Sequence, residues 1–125
     1  MNIREFITSS DKRVLAGKNE EGNEELVKQF IGEKNMIFHT AESGSPFCII
    51  ESLKPTKKDI NETATFCASK SQDWRNNKGD VHVHMFTGEN IYKEKKMKTG
   101  MFGVKNFKDV LVKKKEIEAL GRELK

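Results

Sequence analysis

The chain has 125 residues, of which 35% are hydrophobic and 34% charged. That is room for one ordinary domain with a core of its own, with too many periodic Ile, Val, Leu, Phe and Met residues for disorder to be the default. No apolar run approaches the roughly 18 residues that cross a bilayer, and the opening Met-Asn-Ile-Arg-Glu-Phe lacks the basic-then-apolar layout of a secretory signal, so a cytoplasmic protein without a membrane partner is expected. Cys48 and Cys67 lie in apolar or helical patterns and are expected as reduced, buried thiols.

In chain order, Ile3 to Ser9 and Arg13 to Gly17 alternate apolar residues around Ser-Ser-Asp-Lys, as a hairpin does. Gly17-Lys18-Asn19-Glu20-Glu21-Gly22 then reads as a polar turn, with Asn23 capping a helix from about Glu24 to Phe30. Leu26, Val27, Phe30 and Ile31 would form its inner face, and Gly32 would end it. Met36 to His39 and Phe47 to Ile50 are short apolar runs expected as buried strands, joined by a Ser43-Gly44-Ser45-Pro46 turn.

Thr56 with Asp59 forms a capping pair for the longest helix, which carries Ile60, Ala64, Cys67 or Ala68, Ser71 and Trp74 at helical spacing and is expected to run to Asn76, Asn77 and Gly79. Val81, Val83 and Met85 alternate with His82 and His84 as in a half-buried strand. Ile91-Tyr92, Met101 to Val104 and Val110 to Val112 continue the strand pattern. A helix from about Lys115 to Leu124 would close the chain on Ile117, Leu120 and Leu124. Strands interspersed with about three helices predict a single α+β unit of mixed layers.

The net charge of +4 is unevenly placed: residues 1–63 carry −2 and residues 64–125 carry +6. Such segregation builds a positive surface that attracts a polyanion, because each phosphate it neutralises releases condensed counterions. The strongest single feature is Lys93-Glu94-Lys95-Lys96-Met97-Lys98-Thr99-Gly100, four lysines in eight residues ending at a turn glycine. Lysines this crowded repel one another, and a bound phosphate backbone relieves the repulsion.

Other candidates fall near predicted turns and helix ends. Lys18 and Asn19 precede a helix N-terminus, where backbone N–H groups and the helix dipole favour an anion. The Gly-Lys-Ser/Thr ending of a phosphate-binding loop is missing, which argues against nucleotide hydrolysis. His39, Gly44 and Ser45 would gather at one end of the sheet as a phosphate site, without the Gly-x-Ser-x-Gly of a hydrolase. Lys70 and Arg75 combine cation and hydrogen-bond donors, and Trp74 is either a base-stacking platform or part of the core. His82 and His84 share a strand face, yet no acidic ligand is spaced to complete a metal site, so neither metal nor other cofactor is expected.

Taken together, Gly17-Lys18-Asn19 with Asn23 and Leu26, then Phe38-His39, Gly44-Ser45, Ala64 with Ala68-Ser69-Lys70-Ser71, and finally Lys93, Lys95, Lys98 and Gly100-Met101 resemble the NFACT-R domain in order and spacing. The resemblance covers nearly the whole chain and is to the standalone form of this RNA-binding domain. It implies a non-catalytic module for structured RNA, either tRNA or large-subunit rRNA, in ribosome-associated quality control or in delivering tRNA to a separate modifying enzyme. The expected RNA contacts are Lys18, Asn19, Asn23, His39, Gly44, Ser45, Lys70, Trp74, Arg75, Lys93, Lys95, Lys96 and Lys98, and the same phosphate chemistry admits DNA. The competing expectations are an enzyme using His39 with Ser43 or Ser45, or His82 and His84 with a metal, and an adaptor that binds a protein through its terminal helix.

Overall fold

A computed structural model describes residues 2–123. Their longest sheet has six strands, all paired antiparallel: β1 (Ile3–Ile7), β2 (Arg13–Gly17), β3 (Met36–Thr40), β4 (Cys48–Ile50), β5 (Val81–Thr87) and β8 (Lys108–Val112), in the spatial order β1-β2-β4-β3-β5-β8. A short hairpin of β6 (Ile91–Tyr92) and β7 (Gly103–Val104) forms a second sheet. The α-helices among the described residues are α1 (Glu20–Lys28), α2 (Lys57–Ser69), α3 (Gln72–Asn77) and α4 (Lys114–Glu123). This is the α+β architecture expected from the sequence.

Both faces of the sheet are covered, which is why β3 and β4 read as near-continuous apolar runs rather than clean alternations. Ile37 pairs with Ile49 and faces Leu26 and Val27 of α1, with Phe102 and Val104 of the hairpin against the same cluster. On the opposite face Phe38 and Cys48, also a register pair, pack with Ala64, Cys67 and Ala68 of α2 and with Ile117 and Leu120 of α4. Cys48 and Cys67 are free, buried thiols.

Three expectations are corrected. The polar stretch before Asn23 is the first turn of α1, capped by Asn19, whose side chain accepts the Gly22 N–H at 2.8 Å. Gly22 sits inside this helix because a Cβ there would meet the Asn2 carbonyl oxygen at 2.0 Å, so it marks a close approach of backbones rather than a turn. Ile31, expected on the inner face, is exposed at 39%. The long helix breaks at Lys70-Ser71: the Ser71 hydroxyl donates to the Ala68 carbonyl at 2.7 Å and accepts the Trp74 N–H at 3.1 Å, ending α2 and capping α3. A mid-helix serine competes with the helix in this way, and the two helices replace one. The Thr56–Asp59 capping box is present as read, and Leu124 lies outside the described residues.

Register brings distant segments to one end of the sheet. Ile3 stands opposite Gly17, Ala16 opposite Cys48, and Phe38 opposite Cys48, so the start of β1, the end of β2, the end of β3 and the start of β4 lie together. The C-terminal end of α2 reaches the same place, where the Cys67 thiol donates to the Pro46 carbonyl at 3.6 Å.

Candidate nucleic-acid interface

At that end of the sheet lies a cleft of about 280 Å³ lined by Arg4, Lys18, Asn19, Gly44, Lys70 and Arg75, among others. Lys18 follows the end of β2, Arg4 is the second residue of β1, Lys70 terminates α2 and Arg75 is on α3. Glu20 is the single carboxylate in the lining, against four cations. Among the described residues none of these four cations takes part in an ion pair, whereas Lys12, Arg13, Lys28, Lys93 and Lys113 all do. Among the described residues the cleft therefore gathers four cations outside any ion pair around one carboxylate, Glu20, and its lining is net positive.

Arg4 has a further peculiarity. It shares a strand face with Phe6 and Thr8, both buried, so its stem runs along the core side of the sheet. Among the described residues its Nε is buried without a hydrogen-bond partner, a placement that costs on the order of 1–3 kcal/mol. The sequence reading missed Arg4, although an arginine at an inward strand position, two residues before Phe6, is a signal in itself.

Several expected contacts are also framework. Asn23 Oδ1 accepts the Phe47 N–H at 3.0 Å, tying α1 to the start of β4. Gly17 is required beneath it, because a Cβ would stand 2.1 Å from Asn23 Oδ1. The Ser45 hydroxyl accepts the Thr40 N–H and donates to the Pro46 carbonyl, each at 3.1 Å. Gly44, at φ +93°, offers its carbonyl to the Gln72 N–H at 2.7 Å and so docks the turn on α3. Trp74 is half-buried against the core, with the Lys78 ammonium 4.9 Å from its ring centroid.

A second cavity of about 380 Å³ adjoins the cleft and shares Glu20, Asn23, Gly44 and Ser45 with it. His39 lies here, its Nδ1 2.8 Å from the Thr40 carbonyl and its ring 4.4 Å from that of Phe47. Burial pushes its pKa below the ordinary 6.5, the Thr40 contact opposes this, and the neighbouring His84 adds to it. The downward shift favours the neutral imidazole, and because the Thr40 carbonyl only accepts, Nδ1 carries the hydrogen of that contact.

The lysine segment divides into two roles. The Lys93 ammonium donates to Glu24 Oε1 at 2.9 Å, the Lys98 carbonyl at 2.6 Å and the Met101 carbonyl at 2.8 Å, with its side chain only 18% exposed. Its donors are taken up by the protein, and it serves as the pin of the β6–β7 loop. Lys95 and Lys96 occupy the tip of a turn closed by the Met97 N–H on the Glu94 carbonyl, and with Lys98 they are exposed. The same loop supplies Thr99 to Phe102 to the wall of the second cavity.

His82 and His84 lie outside the cleft, though His84 lines the second cavity. The first has Nδ1 2.7 Å from Asp109 Oδ2, the second Nε2 3.7 Å from Oδ1 of the same residue, and His84 stacks on Phe107. That carboxylate arrives from β8, 27 residues away, and no local spacing announced it.

The structure thus sets a cleft with four cations, drawn from four separate segments, into an antiparallel α+β sheet. A family model for the NFACT protein RNA binding domain matches residues 2–106, and the chain belongs to that family. It is 28% identical over 82 residues to the archaeal Rqc2 homolog aRqcH of Methanocaldococcus jannaschii, a match covering 64% of this chain and 12% of that protein. Its fold is similar to that of the C-terminal part of the fibronectin/fibrinogen-binding protein from Streptococcus suis, with a TM-score of 0.80 and 20% identity over 95% of this chain and 49% of the other. Among the described residues no helix is long and apolar enough to cross a membrane.

Proposed function

We propose that residues 1–125 act as one module that holds structured RNA, tRNA or large-subunit rRNA, by its sugar-phosphate backbone and does no chemistry on it. The observation that carries this reading is the gathering of Arg4, Lys18, Lys70 and Arg75 around one cleft, with none of them in an ion pair among the described residues. Phosphate contacts of this kind supply most of the affinity and fix the register on the RNA. Lys95, Lys96 and Lys98 extend the positive surface from the adjoining loop. DNA offers the same phosphates and competes to the extent that the ribose hydroxyls go unread.

The hydrogen bonds of His39 and Ser45 favour binding over catalysis. Ser45 spends its hydroxyl on Pro46 and the Thr40 N–H, and His39 spends its Nδ1–H on Thr40, so neither is poised as nucleophile and base for the other. The likeness to an Rqc2 homolog supports a place in ribosome-associated quality control, with a quality-control or RNA-modifying protein as the second partner.

The test is filter binding of tRNA across a salt series. Reversing Lys18, Lys70 and Arg75 together to Glu is expected to abolish binding at physiological salt and to reduce the log–log salt slope by about 2–3. Circular dichroism should be unchanged: among the described residues the Lys18 side chain has no hydrogen bond or ion pair, Lys70 contributes only its approach to the Phe66 ring at 5.7 Å, and the Arg75 hydrogen bonds to the Lys70 carbonyl and Gln72 are exposed. Unchanged affinity and slope in a folded variant would sink the assignment.

A further inference from the structure

We propose that the second cavity receives an unpaired nucleobase, extruded from the RNA whose adjoining phosphate lies in the basic cleft. The inference rests on the phosphate reading of that cleft and adds a ligand class to it. Cavity and cleft share the wall of Glu20, Asn23, Gly44 and Ser45, so a nucleotide with its phosphate among Lys18, Lys70 and Arg75 has the cavity beside it.

The lining matches a base and matches a phosphate poorly. Phe102 is the half-buried ring of the lining and meets the buried Phe47 edge to face with centroids 5.5 Å apart, while Phe86 and Met101 add apolar wall. Purines and pyrimidines stack on such rings whatever their sequence. His39 supplies the polar handle: with Nδ1–H committed to Thr40, its Nε2 carries a lone pair, an acceptor for an exocyclic amino or imino N–H of the base. At about 380 Å³ the cavity falls in the range typical of small-ligand sites, roughly 300–1,000 Å³.

The outer wall is held in place before any ligand arrives. Glu24 Oε1 accepts both the Lys93 ammonium and the Gly100 N–H, at 2.9 and 2.8 Å, and Lys93 also binds the carbonyls of Lys98 and Met101. Gly100 permits the turn at φ +81°, where a Cβ would crowd Glu20 at 3.1 Å. The clamp fixes Phe102, with the Lys93 ammonium 4.8 Å from its ring centroid. A wall fixed in this way spares the ordering cost of binding.

Three RNA hairpins distinguish the inference from the reading beneath it: one with a single bulged 2-aminopurine, one with an abasic site at the bulge, and one fully paired. The bulged hairpin is expected to bind about tenfold tighter than the other two, with its fluorescence quenched on binding. Phe102→Leu, which keeps an apolar wall without the ring, should erase most of that advantage and leave the paired hairpin's affinity unchanged. Equal affinity for all three hairpins with unaltered fluorescence, while reversal of Lys18, Lys70 and Arg75 still abolishes binding, would overturn the base pocket and leave the phosphate cleft standing. If the reversal also leaves binding intact, both fall.

Discussion

Arg4 and Lys93 show how little a cation's identity says before its surroundings are known. Lys93 belongs to the densest lysine run in the sequence, yet it is consumed by one carboxylate and two carbonyls. Burial alone would raise the pKa of its partner Glu24, but the hydrogen bonds from Lys93, Gly100 and Lys28 outweigh burial and hold it at about 2, against an ordinary 4.5. A carboxyl depressed in the folded state stabilises that state above its unfolded pKa and ceases to do so as pH falls through the folded one. Glu24→Gln should therefore be less stable than the parent at neutral pH in urea unfolding, with the gap closing as pH drops from about 4.5 toward 2. A gap independent of pH would mean that Glu24 acts by packing alone. Arg4 presents the opposite balance, a buried Nε left unpaired beside the cleft. Replacing it with Met keeps the stem and removes the unsatisfied donor, so Arg4→Met should hold or raise the melting temperature while weakening tRNA binding severalfold. A loss of both would assign Arg4 to the framework.

At the level of elements, the fold was legible wherever one physical signal stood alone. The Thr56–Asp59 capping box, the alternation from Val81 to Met85 and the paired apolar runs that became β3 and β4 were read from local chemistry and are found in place. Reading failed where one residue type serves two purposes. Gly22 looked like a turn and is a helical contact with the Asn2 backbone. Ser71 looked like one more inward helical position and is a buried cap. Neither purpose is visible without the partner segment. The same dependence makes Gly17 sensitive: an added methyl would strike Asn23 Oδ1 and part α1 from β4 by breaking the Asn23–Phe47 hydrogen bond. Gly17→Ala is expected to lose about 1–3 kcal/mol in chemical denaturation, with binding reduced as the cleft floor shifts. A neutral effect would show that α1 can slide to make room.

Across the whole molecule, the charge imbalance between halves pointed to a polyanion for an incomplete reason. Two of the four cleft cations, Arg4 and Lys18, come from the half with net charge −2, and the fold rather than the composition unites them with Lys70 and Arg75. Seven of the residues chosen from sequence do line that cleft: Lys18, Asn19, Asn23, Gly44, Ser45, Lys70 and Arg75. The aromatic wall of the second cavity was not chosen, because Phe47 and Phe102 lie 55 positions apart in sequence and read singly as core. This distinction between placed charge and total charge can be measured. Lys54, Lys57 and Lys58 are exposed at the start of α2, while Lys70 follows its end. Thirteen helical residues separate the two sites by about 20 Å, well beyond the Debye length of about 8 Å at physiological ionic strength. Lys54, Lys57 and Lys58 reversed together to Glu change the net charge by as much as the cleft triple does. They should nevertheless leave tRNA affinity within about threefold at physiological salt, because a screened charge at that distance adds little to a phosphate contact. The difference from the cleft variant should narrow only at low salt, where the Debye length grows to about 30 Å and both sites are felt together. Equal losses for the two triples at physiological salt would mean that net charge, and not the cleft, recruits the RNA.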